Sequence, residues 1–385
     1  MNGVLVAEDL LQAAVCDTNL DNFGDESFAE RFAMAVDILR DAGMDAAGQQ
    51  AAADVCHWLL TSRLHFFDDH ETWSLAGELI EQPVFATGEP RSGTTLLHAL
   101  LSVDPDSRPL RFWQVMYPSP PPGLAPADDP RRARADNDWR DILERLPKWL
   151  VSHPYNDMLG NGLPECERTW AFDFRVMTPT AWWRVPMGMS VGALPADSEA
   201  QYRIHKMMLQ HCQHGRVKKR WALKGFHGPR LKELFASYPD ARVIWTHRDP
   251  VQVTASRIAL LAELIEDLVG HVDWEQQAEV QLAATRAGFN NTLNNPWIDD
   301  PRIYHVRYPD FVTDPVGTIA GFYEYCGLSM SAAADRAMRD YLANNKSDRY
   351  GKFEYSTDLI RTDVAALHEE FTPYRERFGL DIEQR

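Results

Sequence analysis

The stretch VFATGEPRSGTTLLHALL, residues 84–101, holds Gly88 and Gly93 at the spacing of a phosphate-binding loop, G-x-x-x-x-G-K-[ST]. Thr94 stands where that loop has its lysine. The point charge that bridges the outer phosphates of a nucleoside triphosphate is therefore missing, which makes ATP hydrolysis a poor match. The amides after the glycines still form a nest of N–H donors at a helix start, and Thr94 and Thr95 add hydroxyls. Arg91, inside the loop, offers a planar, permanently charged fork suited to tetrahedral oxyanions. This set fits a diphosphate-like or phosphosulfate group better than a metal-bound triphosphate.

Such a loop needs a strand before it and a helix after it. PVFAT reads as a short apolar strand and TTLLHALLSV as a helix. RWALKGF, ARVIWTHRDP and RIYHVRYPDF read as further strands with polar or basic exits, and VQVTASRIALLAELIEDLV as a helix opened by Pro250. Strands alternating with helices imply a parallel sheet covered on both faces, with ligands at the carboxyl ends of the strands. The exits at residues 88–95, 224–227 and 246–249 are expected to converge on one crevice. The fold class expected is α/β, a P-loop-like three-layer fold with a central parallel sheet, plus a helical N-terminal extension.

That extension covers residues 1–82. In SFAERFAMAVDILRDAG the stripe Phe28, Phe32, Ala35 and Leu39 marks a helix, with Ser27 as its expected cap and Gly43 as its stop. Three roles stay open for it: covering the sheet, forming the face of a homodimer, or lining an acceptor pocket. Residues 83–385 form the second expected domain, with an acceptor-lid insertion at about 105–215 and a nucleotide-closing segment at about 346–385.

The chain has 385 residues and a formal net charge of -17, which speaks against nucleic acid or an anionic membrane surface as the main partner. An anionic ligand must therefore meet a local basic site. No run of about eighteen apolar residues marks a membrane span. The start lacks a basic n-region, and the cysteines, five in number, have no C-x-x-C spacing, so a reduced, cytoplasmic protein is expected. HCQH (His211, Cys212, His214) and HFFDDH (His65, Asp68, Asp69, His70) sit in helical text without distant partner ligands, and a structural role is expected for both rather than a metal site.

The run GEPRSGTT resembles the loop P-[KR]-S-G-T-T of sulfotransferases that use PAPS, 3′-phosphoadenosine 5′-phosphosulfate, and the overall text resembles the bacterial branch of that family. The resemblance implies that Arg91, Ser92, Gly93, Thr94 and Thr95 hold the phosphosulfate. It also implies that Arg248 and Ser256, eight residues apart in THRDPVQVTAS, read the 3′-phosphate. By the same resemblance Tyr308 in RYPDF approaches the adenine, and Arg349, Gly351 and Lys352 in DRYGKF close on the nucleotide. The tryptophan that follows G-T-T in cytosolic animal members is Leu96 here.

The family also places a lysine and a histidine after a strand, which carries over to Lys224 and His227, although K-x-x-H matches neither K-T-H nor K-S-P-x-H. His227 is the first choice for the base that takes the acceptor proton, since imidazole titrates near pH 6.5. Lys224 and Arg91 would stabilise developing negative charge. Related sequences often carry W-E as the base; here Trp113 is followed by Gln114, and an amide cannot serve. Glu165 and Glu167 in LPECERTW are the reserves. The aromatic run Trp170, Phe172, Phe174, Trp182 and Trp183 suits either an acceptor lid or a subdomain core. The expected activity is transfer of the sulfuryl group of PAPS to a hydroxyl of a small, apolar acceptor, giving PAP and a sulfate ester without a metal. The rivals are a kinase-like phosphotransferase and a non-catalytic PAP(S)-binding protein.

Overall fold

A computed structural model describes residues 5–175 and 197–383. Strands β1 (Val84–Gly88), β2 (Ser107–Arg108), β3 (Arg220–Lys224), β4 (Arg242–His247) and β5 (Ile303–Arg307) form one parallel sheet in the order β2-β3-β1-β4-β5. All residues of β1 are buried, as expected for the central strand of a sheet covered on both faces. Its register pairs Ala86 with Lys224 and Gly88 with Thr246, so the three exits emerge side by side.

Alternation along the strands divides the core. Val84, Ala86, Ala222, Ile244 and Val306 pack with Leu97, Leu100, Phe311 and Phe322 on one face. Phe85, Leu223, Val243, Trp245 and Ile303 point to the other face. There they share a single apolar cluster with helices α1 (Ala7–Thr18), α2 (Phe28–Arg40) and α3 (Ala46–Thr72). The stripe Phe28, Phe32, Ala35 and Leu39 is fully buried in it. The first three helices thus join the apolar core on that side of the sheet, packing chiefly on one another. Ser27 does not cap α2, because its hydroxyl is committed to Asp25 Oδ1 at 2.7 Å; α3 is capped by Asp45, which accepts from the Gly48 amide at 2.8 Å.

A buried ionic cluster ties α2 and α3 to residues 173–175. Asp173, 1% exposed, accepts from Arg63 at 2.5 Å, Arg31 at 3.1 Å and Arg175 at 2.5 Å, and Asp25 pairs with Arg31 and Arg63 at 3.0 and 3.2 Å. Around it Phe172 sits edge-on to Phe66, and Phe174 to Phe32. Phe172 and Phe174 are therefore core; Trp182 and Trp183 lie outside the described residues. His211 donates to the Pro118 carbonyl at 3.0 Å and His214 pairs with Glu78 at 3.0 Å, so HCQH serves packing. Among the described residues, no helix is long and apolar enough to cross a membrane.

Candidate functional site

The loop between β1 and the helix Thr94–Val103 bends through Arg91, at φ 75°, and Gly93, at φ 86°. Gly93 is required twice over: the backbone is left-handed, and a Cβ would lie 2.9 Å from the Tyr308 ring. Arg91 has no such licence and carries backbone strain on the order of 1–2 kcal/mol. That bend presents its carbonyl to Arg248 at the β4 exit and its side chain to Ser256 on the helix that follows. Ser92 is wholly buried, donating to the Glu89 carbonyl at 2.6 Å and lying 2.8 Å from Thr246 Oγ1. Its hydroxyl locks the loop onto β4 and does not face the crevice, and its amide donates to the Glu89 carbonyl at 3.2 Å, so Ser92 shapes the loop rather than offering donors to a ligand.

At the β4 exit, Arg248 lies beside helix Pro250–Val269, which Asp249 caps and which brings Ser256 two turns along. Arg91 Nε donates to Ser256 Oγ at 2.9 Å, and Arg248 Nη1 donates to the Arg91 carbonyl at 2.9 Å. The loop and the Arg248–Ser256 pair therefore form one constellation. Tyr308 lies under the Arg248 guanidinium, 4.4 Å from ring centre to Cζ. Burial and the neighbouring Arg248 lower the Arg91 guanidinium to about 10, which leaves it charged at neutral pH. Burial works against Arg248 as well, but the Glu383 carboxylate outweighs it and raises the guanidinium above its ordinary value.

The late loop reaches this constellation through residues other than those expected. Arg349 is held by Asp157 at 2.7 Å, and Gly351 and Lys352 are exposed. Phe353 and Tyr355 turn inward instead: Arg91 stacks over Phe353 at 4.9 Å and Arg248 Nη2 donates to Tyr355 at 3.0 Å. The chain is extended here, so alternate side chains face one side. The alternation of Phe353 and Tyr355 was the available signal.

At the β3 exit, Lys224 Nζ donates to Thr95 Oγ1 at 3.2 Å and pairs with Glu165 at 2.5 Å. Half of the Glu165 side chain remains accessible. The crevice environment raises the Glu165 carboxyl, but Lys224 outweighs it and holds the group below its ordinary value. Burial, then the Glu165 charge, pushes Glu167 up to about 7; its Oε1 accepts from the Phe226 amide at 2.5 Å.

His227 is not in this crevice. It is fully buried, 2.6 Å from the Tyr202 hydroxyl through Nδ1 and edge-on to Phe85, and its Nε2 is buried without a partner. Burial drives its pKa well below the ordinary value. The spacing explains the displacement: the chain passes Gly225, where a Cβ would lie 2.8 Å from His227 Nε2, and returns under the sheet. Gln114 caps its own helix by accepting from the Arg111 amide at 2.9 Å. The sequence reading missed His153, stacked on Trp149 at 3.9 Å. Burial, then the charges of Arg91 and Lys224, depresses it well below the ordinary value. Nothing in SHPYND distinguishes it from a loop histidine.

A buried cation, Arg248, and two partly buried ones, Arg91 and Lys224, thus line the carboxyl ends of β1, β3 and β4 beside an amide-rich helix start. This is a cradle for an extended anion with charge at both ends. The chain has relatives of similar sequence and fold among known proteins. The chain is 26% identical to the sulfotransferase STF9 from Mycobacterium avium, with each chain wholly covered and a TM-score of 0.82. It shares its fold with the sulfotransferase STF1 from Mycobacterium tuberculosis H37Rv, at TM-score 0.68, 24% identity and coverage of 97% of this chain and all of that one. It is 24% identical to the omega-hydroxy-beta-dihydromenaquinone-9 sulfotransferase Stf3 of Mycobacterium tuberculosis (strain CDC 1551 / Oshkosh), over 79% of this chain and 76% of that protein. Residues 83–332, which hold the whole sheet and every cation of the cradle, match the profile described as Sulfotransferase family. The chain belongs to the sulfotransferase family.

Proposed function

We propose that this sulfotransferase uses PAPS as donor and sulfates a hydroxyl of a small apolar molecule, with Glu165 as base. The observation that carries the reading is the junction of Arg91, Arg248 and Ser256, two guanidinium groups and a hydroxyl from two strand exits in direct contact. Two anionic ends of one nucleotide are the simplest ligand for it. Arg248 and Ser256 would take the 3′-phosphate. The amides of residues 93–95, Thr95 and Lys224 would take the 5′-phosphosulfate, and Tyr308 with Tyr355 would flank the nucleotide.

PAPS supplies an activated sulfuryl group. The acceptor oxygen bonds to sulfur as the sulfur–oxygen bond to the 5′-phosphate breaks, and the hydroxyl proton must go to a base. Lys224 stabilises the charge left on the phosphate. Glu165 is favoured over His227 because it is accessible and touches the lysine that touches Thr95. When an oxyanion draws Lys224 away, Glu165 loses its counter-charge and becomes a stronger base. An apolar acceptor is supported by the named substrate of Stf3, a hydroxylated menaquinone.

Calorimetric titration with PAP, 5′-AMP, ADP and ATP, with Arg248→Ala as control, tests the donor. Tight PAP binding lost in the variant supports the reading; preference for ATP, or indifference to Arg248, returns the loop to the phosphotransferase rival. A subsequent screen of hydroxylated isoprenoids with PAPS tests the acceptor. PAP binding without turnover on any acceptor would favour the non-catalytic rival.

A further inference from the structure

The segment after helix Thr372–Phe378 turns at Gly379, φ 63°, and comes back to the crevice. Leu380 packs into the cluster beside helix Pro250–Val269, but beyond it the chain is lightly held. Ile382 is 48% exposed, and Asp381 reaches only Arg307, at 3.4 Å. At Glu383 the contacts converge. Its carboxylate receives Arg248 Nε at 2.9 Å and Nη2 at 2.8 Å, its amide donates to Asp249 Oδ2 at 3.1 Å, and its carbonyl accepts from Gln252 Nε2 at 3.2 Å.

A carboxylate laid along the Nε–Nη2 edge is the fork geometry by which a guanidinium also takes a phosphate. Of the other donors of Arg248, Nη1 gives a hydrogen to the Arg91 carbonyl and Nη2 gives its second to Tyr355. The Nε–Nη2 edge is the one that offers a bidentate fork, and Glu383 lies on it. A phosphate and a carboxylate at that separation repel, so both cannot use the edge. Arg248 is 4% exposed and Glu383 19%, which means the carboxylate is reachable from solvent and can leave without disturbing the core beneath.

We propose that Glu383 is a built-in competitor for the 3′-phosphate subsite, setting the affinity for nucleotides that carry that phosphate. The proposal rests on the assignment of Arg248 to the 3′-phosphate made above. In the free enzyme the carboxylate keeps a buried guanidinium paired. On binding, the 3′-phosphate displaces it, and residues 381–383 lift, releasing the contacts of Glu383 with Asp249 and Gln252. A nucleotide lacking the 3′-phosphate has no group to exchange and leaves the pair intact.

The test compares PAP and 5′-AMP binding by calorimetry to the full chain, Glu383→Gln and Glu383→Ala, with Arg248→Ala alongside. Loss of the charge is expected to tighten PAP binding about tenfold while leaving 5′-AMP unchanged. Hydrogen exchange at residues 381–383 of the unmodified chain is expected to speed up on adding PAP and not on adding 5′-AMP. Unchanged or weaker PAP binding in both Glu383 variants overturns the competitor and makes Glu383 a support for Arg248. If PAP binds no better than 5′-AMP in every form, and Arg248→Ala changes nothing, the assignment of Arg248 falls first and takes this proposal with it.

Discussion

The molecule buries arginines in two places and completes them differently. Beneath the helical cover, Arg31, Arg63 and Arg175 surround Asp173, whose side chain is 1% exposed. Along the strand exits, Arg248 and Lys224 are paired with Glu383 and Glu165, which keep 19% and 51% of their side-chain surface accessible. The first cluster is anchored on the fully buried Asp173, with Asp25 at its 20% exposed rim, whereas the second is paired with accessible carboxylates. A site for an exogenous anion needs its cations buried, so that the field is strong, and its own counter-charges exchangeable. The distinction between a structural and a binding cluster therefore lies in the partners of the arginines rather than in the arginines.

The sharpest break of this contrast is Asp173→Ala, which strands buried cations without a counter-charge. It is expected to cost about 3–5 kcal/mol in chemical denaturation while PAP affinity in the folded fraction holds. A loss below about 1 kcal/mol, the range of exposed ion pairs, would remove the distinction. Glu165→Gln should lower kcat about a hundredfold or more with PAP affinity retained, whereas His227→Gln should have a much smaller effect on kcat. If the two variants swap, the buried imidazole does reach the substrate. Arg248→Lys keeps the charge and loses the fork, so PAP binding should weaken about tenfold by calorimetry; full retention would mean that the bidentate edge is not used.

The mildest test is the pH profile of kcat/KM. A base works only when deprotonated, so activity falls as pH drops through its pKa. Glu165 is held below the ordinary carboxylate value, which predicts a flat profile from neutrality down to about pH 5 and a decline below it. An acid limb near pH 7 would implicate Glu167, which burial raises to about 7.

Much of the sheet and half of the site were legible from residue order. The spacing of Gly88 and Gly93 forces a turn at a strand end, and Arg248 and Ser256 lie on contiguous elements, so local pattern suffices for them. Local pattern failed where the outcome depends on which way a short loop passes a neighbour. Gly225 lets the chain fold under the sheet and carries His227 into the core, leaving the crevice to Glu165. Ser92 likewise faces Thr246 rather than a ligand, because the tightness of the loop decides which of its hydroxyls is buried. Glu383 and Tyr355 meet Arg248 across more than a hundred residues of chain, and no spacing rule spans that distance.

The cluster shared by α1–α3 and the strands has a consequence for synthesis on the ribosome. The apolar stripe of α2 is made early, but Leu223, Val243 and Trp245 of the same cluster belong to strands made far later. At roughly 5–20 residues per second the nascent helices wait on the order of ten to forty seconds for those strands. During that interval α1–α3 pack chiefly on one another, and chaperones that bind exposed apolar helices gain a window to engage the chain before its sheet exists.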